Sequence, residues 1–237
     1  MKFLFLLLSS AKFGKVLTTG GTMLLSVFVY ASVFGWAYAV GVVVLIFIHE
    51  MGHYIAAKQR NLDVGAPMFI PFLGAWIEMK ELPCDAETEA HVGLGGPLLG
   101  TVGAIGCYVV GQSTGEHIWL ALAYVGFLIN LFNLIPMSPF DGGRITAVLS
   151  PRIWFLGVPV LIAIFFIRPS PILIIVAILA APQLLKAWRY DPDAPENKAY
   201  YGVTNEIRMR YGAWYIGLAA YLAVMMQTTH VQLAGVH

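Results

Sequence analysis

Long apolar runs, separated by short polar stretches, make up most of this chain. Seven such runs can be drawn, and most of them approach the length of about 20 residues that a helix needs to cross a lipid bilayer. Their bounds are roughly 16–33, 36–57, 90–110, 117–136, 153–167, 171–187 and 211–229. The pattern predicts an all-α integral membrane fold, a polytopic helical bundle of about six to seven spans.

Two parts of the pattern differ from plain spanning helices. The runs 153–167 and 171–187 are short and flank Arg-Pro-Ser-Pro, so they form either two marginal spans or a short hairpin that does not fully cross. The segment 65–80, GAPMFIPFLGAWIEMK, is aromatic and β-prone between Gly and Pro breaks. That segment predicts a short membrane-associated β-hairpin.

Composition agrees with a membrane location. Of the 237 residues, 59% are hydrophobic and 11% are charged, and the mean hydropathy is +0.75. A soluble domain carries about 25% charged residues, so this chain cannot cover itself with polar surface. The net charge is +1 and no basic patch with interleaved aromatic residues occurs, which argues against nucleic-acid binding. Cys84 and Cys107 form no CxxC pair, and we expect no disulfide framework.

Positive charge gives the predicted spans an orientation. Lysine and arginine fall on one side of seven alternating spans, with Arg168 as the exception, so the positive-inside rule places the N-terminus in the cytoplasm and the C-terminus outside. The residues on the cytoplasmic side are Lys2, Lys12, Lys15, Lys58, Arg60, Lys80, Arg144, Arg152, Lys186, Arg189, Lys198, Arg208 and Arg210. The N-terminal MKFLFLLLSSAKFGK lacks a cleavage site, and we interpret it as a retained interfacial segment. We expect the membrane to be a prokaryotic cell membrane.

The last turns of the second run contain three ionisable residues, His49, Glu50 and His53. A spacing of four places both imidazoles on one face of a helix, where two nitrogens can share a metal ion. Glu50 follows His49, so its carboxylate can reach a water on that metal. This is the HExxH arrangement of two ligands and a general base. The alternative, a helix end whose histidines meet the headgroups, requires neither the glutamate nor the spacing.

A third ligand is expected, because a catalytic zinc ion takes three protein ligands and keeps one position open. Asp141 is the one carboxylate in the segment that ends the fourth run, NLFNLIPMSPFDGGRITAVL. The orientation above brings this end to the same membrane depth as His49 and His53, so we expect Asp141 to complete the site. The alternative is a helix N-cap, since Asp-Gly-Gly before 144–149 is a plausible helix start.

Three motifs occur on successive predicted spans: HEMGH (49–53), GLGGPLLG (93–100) and NLIPMSPFDGG (133–143). In this order they resemble the site-2 protease family of intramembrane zinc metalloproteases, peptidase family M50, over roughly residues 36–150. The resemblance implies that His49, His53 and Asp141 hold zinc and that Glu50 is the base.

The resemblance also implies a substrate-binding residue. The family's asparagine corresponds to Asn133, which is implied to bind or polarise the substrate; Asn130, one turn earlier on nearly the same face, is the alternative. The hairpin at 65–80 is implied to lie by the active site, where a strand edge could pair with an unwound substrate. A plain membrane-surface hairpin is the other interpretation.

The residues predict a zinc metalloendopeptidase with one zinc ion per chain and its site near the cytoplasmic side. The resemblance implies that it hydrolyses membrane-spanning substrates in regulated intramembrane proteolysis. We expect one integral-membrane peptidase domain over 1–237, with a three-helix catalytic core at about 36–150 and accessory spans at about 153–229. The expected partners are a transmembrane protein or peptide substrate and the lipid bilayer. The sequence does not indicate the oligomeric state.

Two rival interpretations remain open. The first is a non-catalytic membrane protein, such as a metal transporter or a pseudoprotease scaffold; a transporter should carry ligands along several spans, whereas the ionisable residues here gather at one end. The second is an iron site, because two histidines and one carboxylate also suit Fe(II). His91 is expected to be structural. We interpret Glu78, Glu81, Asp85, Glu87 and Glu89 as a solvated face.

Overall fold

The computed structural model describes residues 11–71, 74–79 and 83–235, without the side chains of 11–16, 66 and 74–79. The predicted interfacial segment therefore lies outside the described residues for its first ten positions. Lys80, Glu81 and His237 also lie outside them.

Helices form most of the described chain, and two strands interrupt them. In chain order the elements are α1 (Ala11–Phe34), α2 (Trp36–Gln59), β1 (Val64–Ile70), β2 (Gly74–Met79), α3 (Ala86–Thr114), α4 (His117–Asn133), α5 (Asp141–Thr146), a 3-10 turn (Pro151–Leu156), α6 (Gly157–Ile167), α7 (Pro171–Trp188), α8 (Pro195–Tyr201) and α9 (Asn205–Ala234). The predicted all-α fold with a short β-hairpin is confirmed.

Four of these helices, α1, α2, α3 and α7, are long and apolar enough to cross a membrane. The chain is thus a multi-pass membrane protein. α9 is less apolar but runs alongside α3 for its whole length, since Arg210 contacts Glu87 at one end and Gln232 contacts Gln112 at the other. Its 30 residues span about 45 Å, more than the hydrocarbon core of about 30 Å. The predicted span 211–229 lies within α9.

The pair of short runs forms a helical hairpin, α6 followed by α7. α6 has 11 residues, and at 1.5 Å per residue it covers about 16 Å, roughly half of the hydrocarbon core. Ser170 caps α7 by accepting a hydrogen bond from the Ile172 N–H. Arg168, Pro169 and Ser170 separate the helices, and Pro171 takes the first position of α7, where its missing N–H has no helical partner to lose.

The core consists of α2, α3 and α4, which pack against one another. Gly35, with φ of 87°, links α1 to α2 in a single residue, a left-handed conformation that favours glycine. α2 and α3 approach so closely that a Cβ on Gly52 would lie 2.1 Å from the Gly95 carbonyl oxygen. Small residues such as Gly52 and Gly95 thus allow the two helices to pack closely.

α3 begins at Ala86, four residues before the predicted span, because Asp85 caps it by accepting a hydrogen bond from the Thr88 N–H at 2.7 Å. The interpretation of the neighbouring acidic residues as a solvated face is wrong for Glu87 and Glu89. Glu87 accepts hydrogen bonds from Arg60 at 3.2 Å and Arg210 at 3.0 Å.

Glu89 accepts a hydrogen bond from the Tyr200 hydroxyl of α8 at 2.5 Å. Burial and the Glu89 carboxylate raise the pKa of this hydroxyl, so it stays protonated and donates at neutral pH. The contact fixes the polar stretch between α7 and α9 against the first turn of α3.

The β-hairpin lies against α1 and α2. Its strands pair antiparallel, with Met68 opposite Trp76. Two threonines of α1 occupy the outer edge of β1: Thr19 donates to the Pro67 carbonyl at 2.6 Å, and the Phe69 N–H donates to Thr22 at 3.1 Å. Phe69 is buried and stacks on Phe47, two residues before His49, so the hairpin is anchored at the depth of the histidines.

Candidate metal centre

His49 and His53 lie in the last three turns of α2 and are both buried. The helix places them one turn apart, with ring centroids separated by 4.9 Å and the rings nearly perpendicular. Their Nε2 atoms are 3.2 Å apart. The spacing of four has brought the two nitrogens to one point, as the sequence predicts.

Asp141 is the first residue of α5, and Phe140 occupies the N-cap position. The N-cap alternative for Asp141 is therefore wrong. The buried carboxylate instead faces the two histidines, and its Oδ2 is 3.1 Å from each Nε2. Three side chains from two helices far apart in the sequence thus converge on one buried point.

The outer nitrogens of both imidazoles are held by acceptors. His53 Nδ1 lies 2.8 Å from the Val92 carbonyl oxygen, and His49 Nδ1 lies 2.8 Å from Asn130 Oδ1. Asn130 is oriented by its own amide nitrogen, which donates to the Gly126 carbonyl at 2.7 Å. Since a carbonyl and an amide oxygen can only accept, both Nδ1 atoms carry the proton.

Neutral imidazoles protonated at Nδ1 present a lone pair at Nε2. Two such lone pairs and an Asp141 oxygen therefore meet within 3.2 Å of one another. Three acceptors in a buried space repel one another unless a cation lies among them. The hydrogen bonds to Nδ1 thus prepare the site for a metal ion, as outer partners of metal-binding histidines generally do.

The dimensions fit zinc. Ligand distances of about 2.0–2.1 Å in tetrahedral geometry separate neighbouring ligand atoms by about 3.3–3.4 Å, close to the 3.1–3.2 Å found between these three atoms. Three ligands also leave the fourth tetrahedral position free for water. Within residues 11–71, 74–79 and 83–235, His49, His53 and Asp141 are the only group of three or more potential ligands that come this close together.

Glycines of α3 form one wall of the site. A Cβ on Gly96 would lie 2.2 Å from His53 Nε2 and 2.5 Å from its Cε1, against the face of the imidazole ring. A Cβ on Gly100 would lie 2.3 Å from Asn130 Oδ1, the atom that orients His49. The GLGGPLLG segment therefore contributes empty volume, and any side chain at these positions would displace a histidine or its partner.

Glu50 is buried beside the three ligand residues and is absent from the converging group. Its carboxylate lies close enough to His53, His49 and Asp141 for their charges to interact. Arg144, three residues after Asp141, is a further charge within range. Glu50 therefore lies near the centre without being one of its three converging residues.

The two asparagines of α4 have different surroundings. Asn130 is buried on His49, whereas Asn133 is partly buried and donates from its amide nitrogen to the Ile129 carbonyl of its own helix at 3.1 Å. The sequence interpretation chose Asn133 and missed the contact of Asn130 with His49. A polar residue inside an apolar span, one turn from the end, was the available signal. His91 is not part of the centre and lies 2.9 Å from Gln59 Oε1.

Comparison with known proteins agrees with this geometry. The model of peptidase family M50 matches residues 37–116 of the chain, which contain the HEMGH motif and the glycine wall. Over these residues the chain is similar to the M50 peptidases, the family of the site-2 proteases. The matched residues end before Asp141, so the place of Asp141 in the centre rests on the contacts described above.

Individual zinc metalloproteases are similar to this chain over part of their length. The chain is 31% identical to the zinc metalloprotease MJ0392 of Methanocaldococcus jannaschii over 119 residues, which cover 48% of this chain and 34% of that protein. It is 31% identical over 78 residues to the probable chloroplastic zinc metalloprotease EGY1 of Arabidopsis thaliana, covering 31% of this chain and 14% of that protein. The chain thus spans about a third or less of these relatives.

A solved structure, the site-2 protease from Methanocaldococcus jannaschii, aligns with 71% of this chain and 87% of its own. The TM-score is 0.48 and the sequence identity is 22%.

Proposed function

We propose that this chain is a zinc metalloendopeptidase that cleaves membrane-spanning substrates. His49, His53 and Asp141 are the zinc ligands in this proposal, and Glu50 is the general base. The observation that carries it is the convergence of three buried acceptor atoms, at 3.1–3.2 Å, beside a carboxylate that is not part of the group. The match of residues 37–116 to family M50 supports the same reaction.

The chemistry divides between the ion and the chain. Bound zinc would act as a Lewis acid and bring the pKa of a water molecule to about 7. Glu50 accepts the proton of the attacking water and later delivers it to the nitrogen of the leaving amine. Asn130 and Val92 keep both Nε2 lone pairs directed at the centre throughout. Asn133, at the end of α4, stays the predicted substrate contact.

An apolar cavity supports a membrane-spanning substrate. Its volume is about 250 Å³, and it opens between α1, α2 and α4. Ile46 precedes His49 by one turn, and Ile129 adjoins Asn130, so two of the residues that line the cavity are within one turn of residues of the centre. A hydrophobic peptide segment suits such a lining better than a soluble peptide does. The lining residues are Tyr30, Phe34, Tyr38, Val42, Ile46, Val125 and Ile129.

The β-hairpin supports binding of an unwound substrate. Helical amides are hydrogen-bonded and shielded, so a transmembrane helix must open before hydrolysis. α1 occupies the outer edge of β1 through Thr19 and Thr22, and no further strand of the described chain pairs with β2. An extended substrate segment could therefore pair with β2. We further propose that the site lies toward the cytoplasm, as the positive charges predict.

The rival functions have less support. A transporter needs ligands along its path, whereas the described residues contain one ligand group at one end of the bundle. An iron site uses the same ligand types but has no need of Glu50.

The experiment compares cells that carry the native protein with cells that carry Glu50→Gln. Membrane proteins are labelled at new termini and identified by mass spectrometry. We expect fragments with new termini inside or next to transmembrane segments in the native cells alone. A candidate substrate is then reconstituted with each purified protein in vesicles. Equal cleavage by the native and Glu50→Gln proteins would overturn the proposal.

A further inference from the structure

The segment that carries Asp141 has little regular structure of its own. It consists of the loop after α4 and the six-residue helix α5, and side chains of later elements bind its backbone. Tyr215 of α9 donates to the Leu134 carbonyl at 2.5 Å, and Trp154 of the 3-10 turn donates to the Gly143 carbonyl at 2.8 Å. Between these contacts, the Ser138 N–H donates to the Gln183 Oε1 of α7.

Gln183 is unusual in its surroundings. It lies in PILIIVAILAAPQLLKAW, an apolar helix long enough to span, where a polar amide is costly unless it has a partner. The Ser138 N–H is partly buried, and a backbone donor withdrawn from water needs a partner. The hydrogen bond between Gln183 and Ser138 satisfies both groups.

The backbone around Ser138 lies directly on the first turn of α5. A Cβ on Gly143 would be 2.8 Å from the Ser138 nitrogen, and a Cβ on Gly142 would be 2.2 Å from the Leu134 carbonyl oxygen. Gly142 and Gly143 follow Asp141 immediately. A displacement of Ser138 would therefore be transmitted to the helix turn that holds the Asp141 carboxylate.

Apolar contacts also connect the loop before Asp141 with the hairpin of α6 and α7. Met137 and Phe140, on either side of Ser138, belong to one buried cluster with Leu161 of α6 and Leu173 of α7. The hairpin of α6 and α7 thus packs on the loop before Asp141, and Gln183 adds a directional contact to packing that is otherwise non-directional.

We propose that Gln183 is a positioning residue of the metal centre: by fixing the Ser138 N–H, it holds Asp141 against His49 and His53, so that the α6–α7 hairpin sets the affinity for zinc. This inference rests on the proposed function, in that the ion bound is zinc. His49 and His53 are independent of Gln183, because their helix and their Nδ1 partners do not involve α7.

The test uses three variants of the 237-residue chain in detergent or vesicles. Gln183→Met keeps an unbranched side chain of similar size but lacks the acceptor. Gln183→Glu restores an acceptor oxygen. Gln112→Met is the matched control, because Gln112 pairs with Gln232 at the opposite end of the bundle. Zinc affinity is measured by competition with a chromogenic chelator, and ligand geometry by the visible spectrum of the cobalt-substituted protein.

Partners outside a metal's ligands typically change affinity by about 10- to 100-fold when removed, so we expect a loss of this size for Gln183→Met, together with a changed cobalt spectrum. Gln183→Glu and Gln112→Met should bind zinc like the native protein. Zinc affinity and a cobalt spectrum unchanged in Gln183→Met would overturn the proposal while leaving the proposed function intact. A loss in Gln183→Glu equal to that in Gln183→Met would also overturn it.

Hydrogen exchange of the metal-free proteins separates this proposal from the proposed function. We expect amides of 134–141 to exchange faster in Gln183→Met than in the native protein, whether or not zinc is the natural ion. Absence of zinc binding by the native protein would contradict the proposed function. Unchanged exchange at 134–141 would contradict the role of Gln183. If Gln183→Met does not fold, Gln183→Glu still tests the proposal. Its amides at 134–141 must exchange at the native rate, because the glutamate restores the acceptor for the Ser138 N–H.

Discussion

The two halves of the metal centre are built differently. His49 and His53 lie on α2, a continuous helix of 24 residues, and receive their orientation from Asn130 and the Val92 carbonyl in the same three-helix core. Asp141 lies on a helix of six residues, after a loop that is held by side chains from α7 and α9. The histidine half depends on the core alone, whereas the aspartate half also depends on the later helices.

This difference bears on how the site can be altered. A helix with packed neighbours resists local displacement, because its backbone hydrogen bonds and its close contacts must change together. A loop held by a few side-chain hydrogen bonds can shift at a smaller cost, about 0.5–1.5 kcal/mol for each bond. We therefore expect variants in the core to abolish the site and variants around the loop to weaken it by degrees.

Removal of a ligand should have the largest effect. His49→Ala and Asp141→Ala each delete one of three ligand atoms, so zinc affinity should fall by more than the roughly 100-fold typical of the outer partners. Elemental analysis of the purified proteins measures how much zinc each one retains. His91→Ala is the control, since His91 binds Gln59 away from the centre. Full zinc content in Asp141→Ala would show that the aspartate half is dispensable.

Gly96→Ala should have the next largest effect, because it acts on the histidine half of the centre. The added methyl group would lie 2.2 Å from His53 Nε2, so either His53 or the contact between α2 and α3 must give way. We expect loss of bound zinc and destabilisation by about 1–3 kcal/mol. Gly106→Ala on the same helix is the matched control, because a Cβ there meets nothing within 4 Å. Normal zinc content and melting temperature in Gly96→Ala would contradict the close packing of α2 and α3.

The two asparagines of α4 should separate binding of the metal from binding of the substrate. Asn130→Ala removes the acceptor of His49 Nδ1, and zinc affinity should fall by about 10- to 100-fold. Asn133→Ala should leave zinc affinity unchanged and lower the cleavage rate, by up to about 100-fold if its amide contacts the developing oxyanion. Zinc titration and cleavage assays on both variants measure this. If Asn133→Ala lowered zinc affinity and Asn130→Ala lowered only the cleavage rate, the roles assigned to the two asparagines would have to be exchanged.

The sequence predicts the histidine half more completely than the aspartate half. A spacing of four on an apolar helix determines which face His49 and His53 share, because helix geometry is local. Whether Asp141 caps a helix or faces the histidines depends on the loop at 134–140, whose path is set by contacts with α7 and α9. Such contacts between distant residues leave no periodic signal, so the sequence allowed both alternatives.

Polar partners were also hard to predict from sequence. Glu87 was expected to be solvated, yet Arg60 and Arg210 approach it from α2 and α9. Asn133 was chosen on its place in a motif, while the contact to His49 comes from Asn130. The division into a catalytic core at about 36–150 and an accessory part at about 153–229 stays a prediction. The binding of the Asp141 segment by Gln183 and Tyr215 suggests that the two parts act together.

Glu87→Gln should have the smallest effect. The substitution removes the negative charge that joins the start of α9 to the end of α2, and partly exposed ion pairs contribute up to about 1 kcal/mol. We expect the melting temperature to fall by about 2–4 °C, with zinc content unchanged. A thermal scan in detergent measures it. A loss of zinc in Glu87→Gln would mean that α9 controls the histidine half as well.

The most direct test of the central claim is the zinc content of purified Glu50→Gln, measured beside its rate of substrate cleavage. Glu50 lies beside the three ligands but outside their group, so the variant should keep one zinc ion per chain while cleavage falls by about 10²- to 10⁴-fold, the usual contribution of a general base. Loss of the zinc ion, or cleavage at the native rate, would contradict the separation of ligands and base on which the account depends.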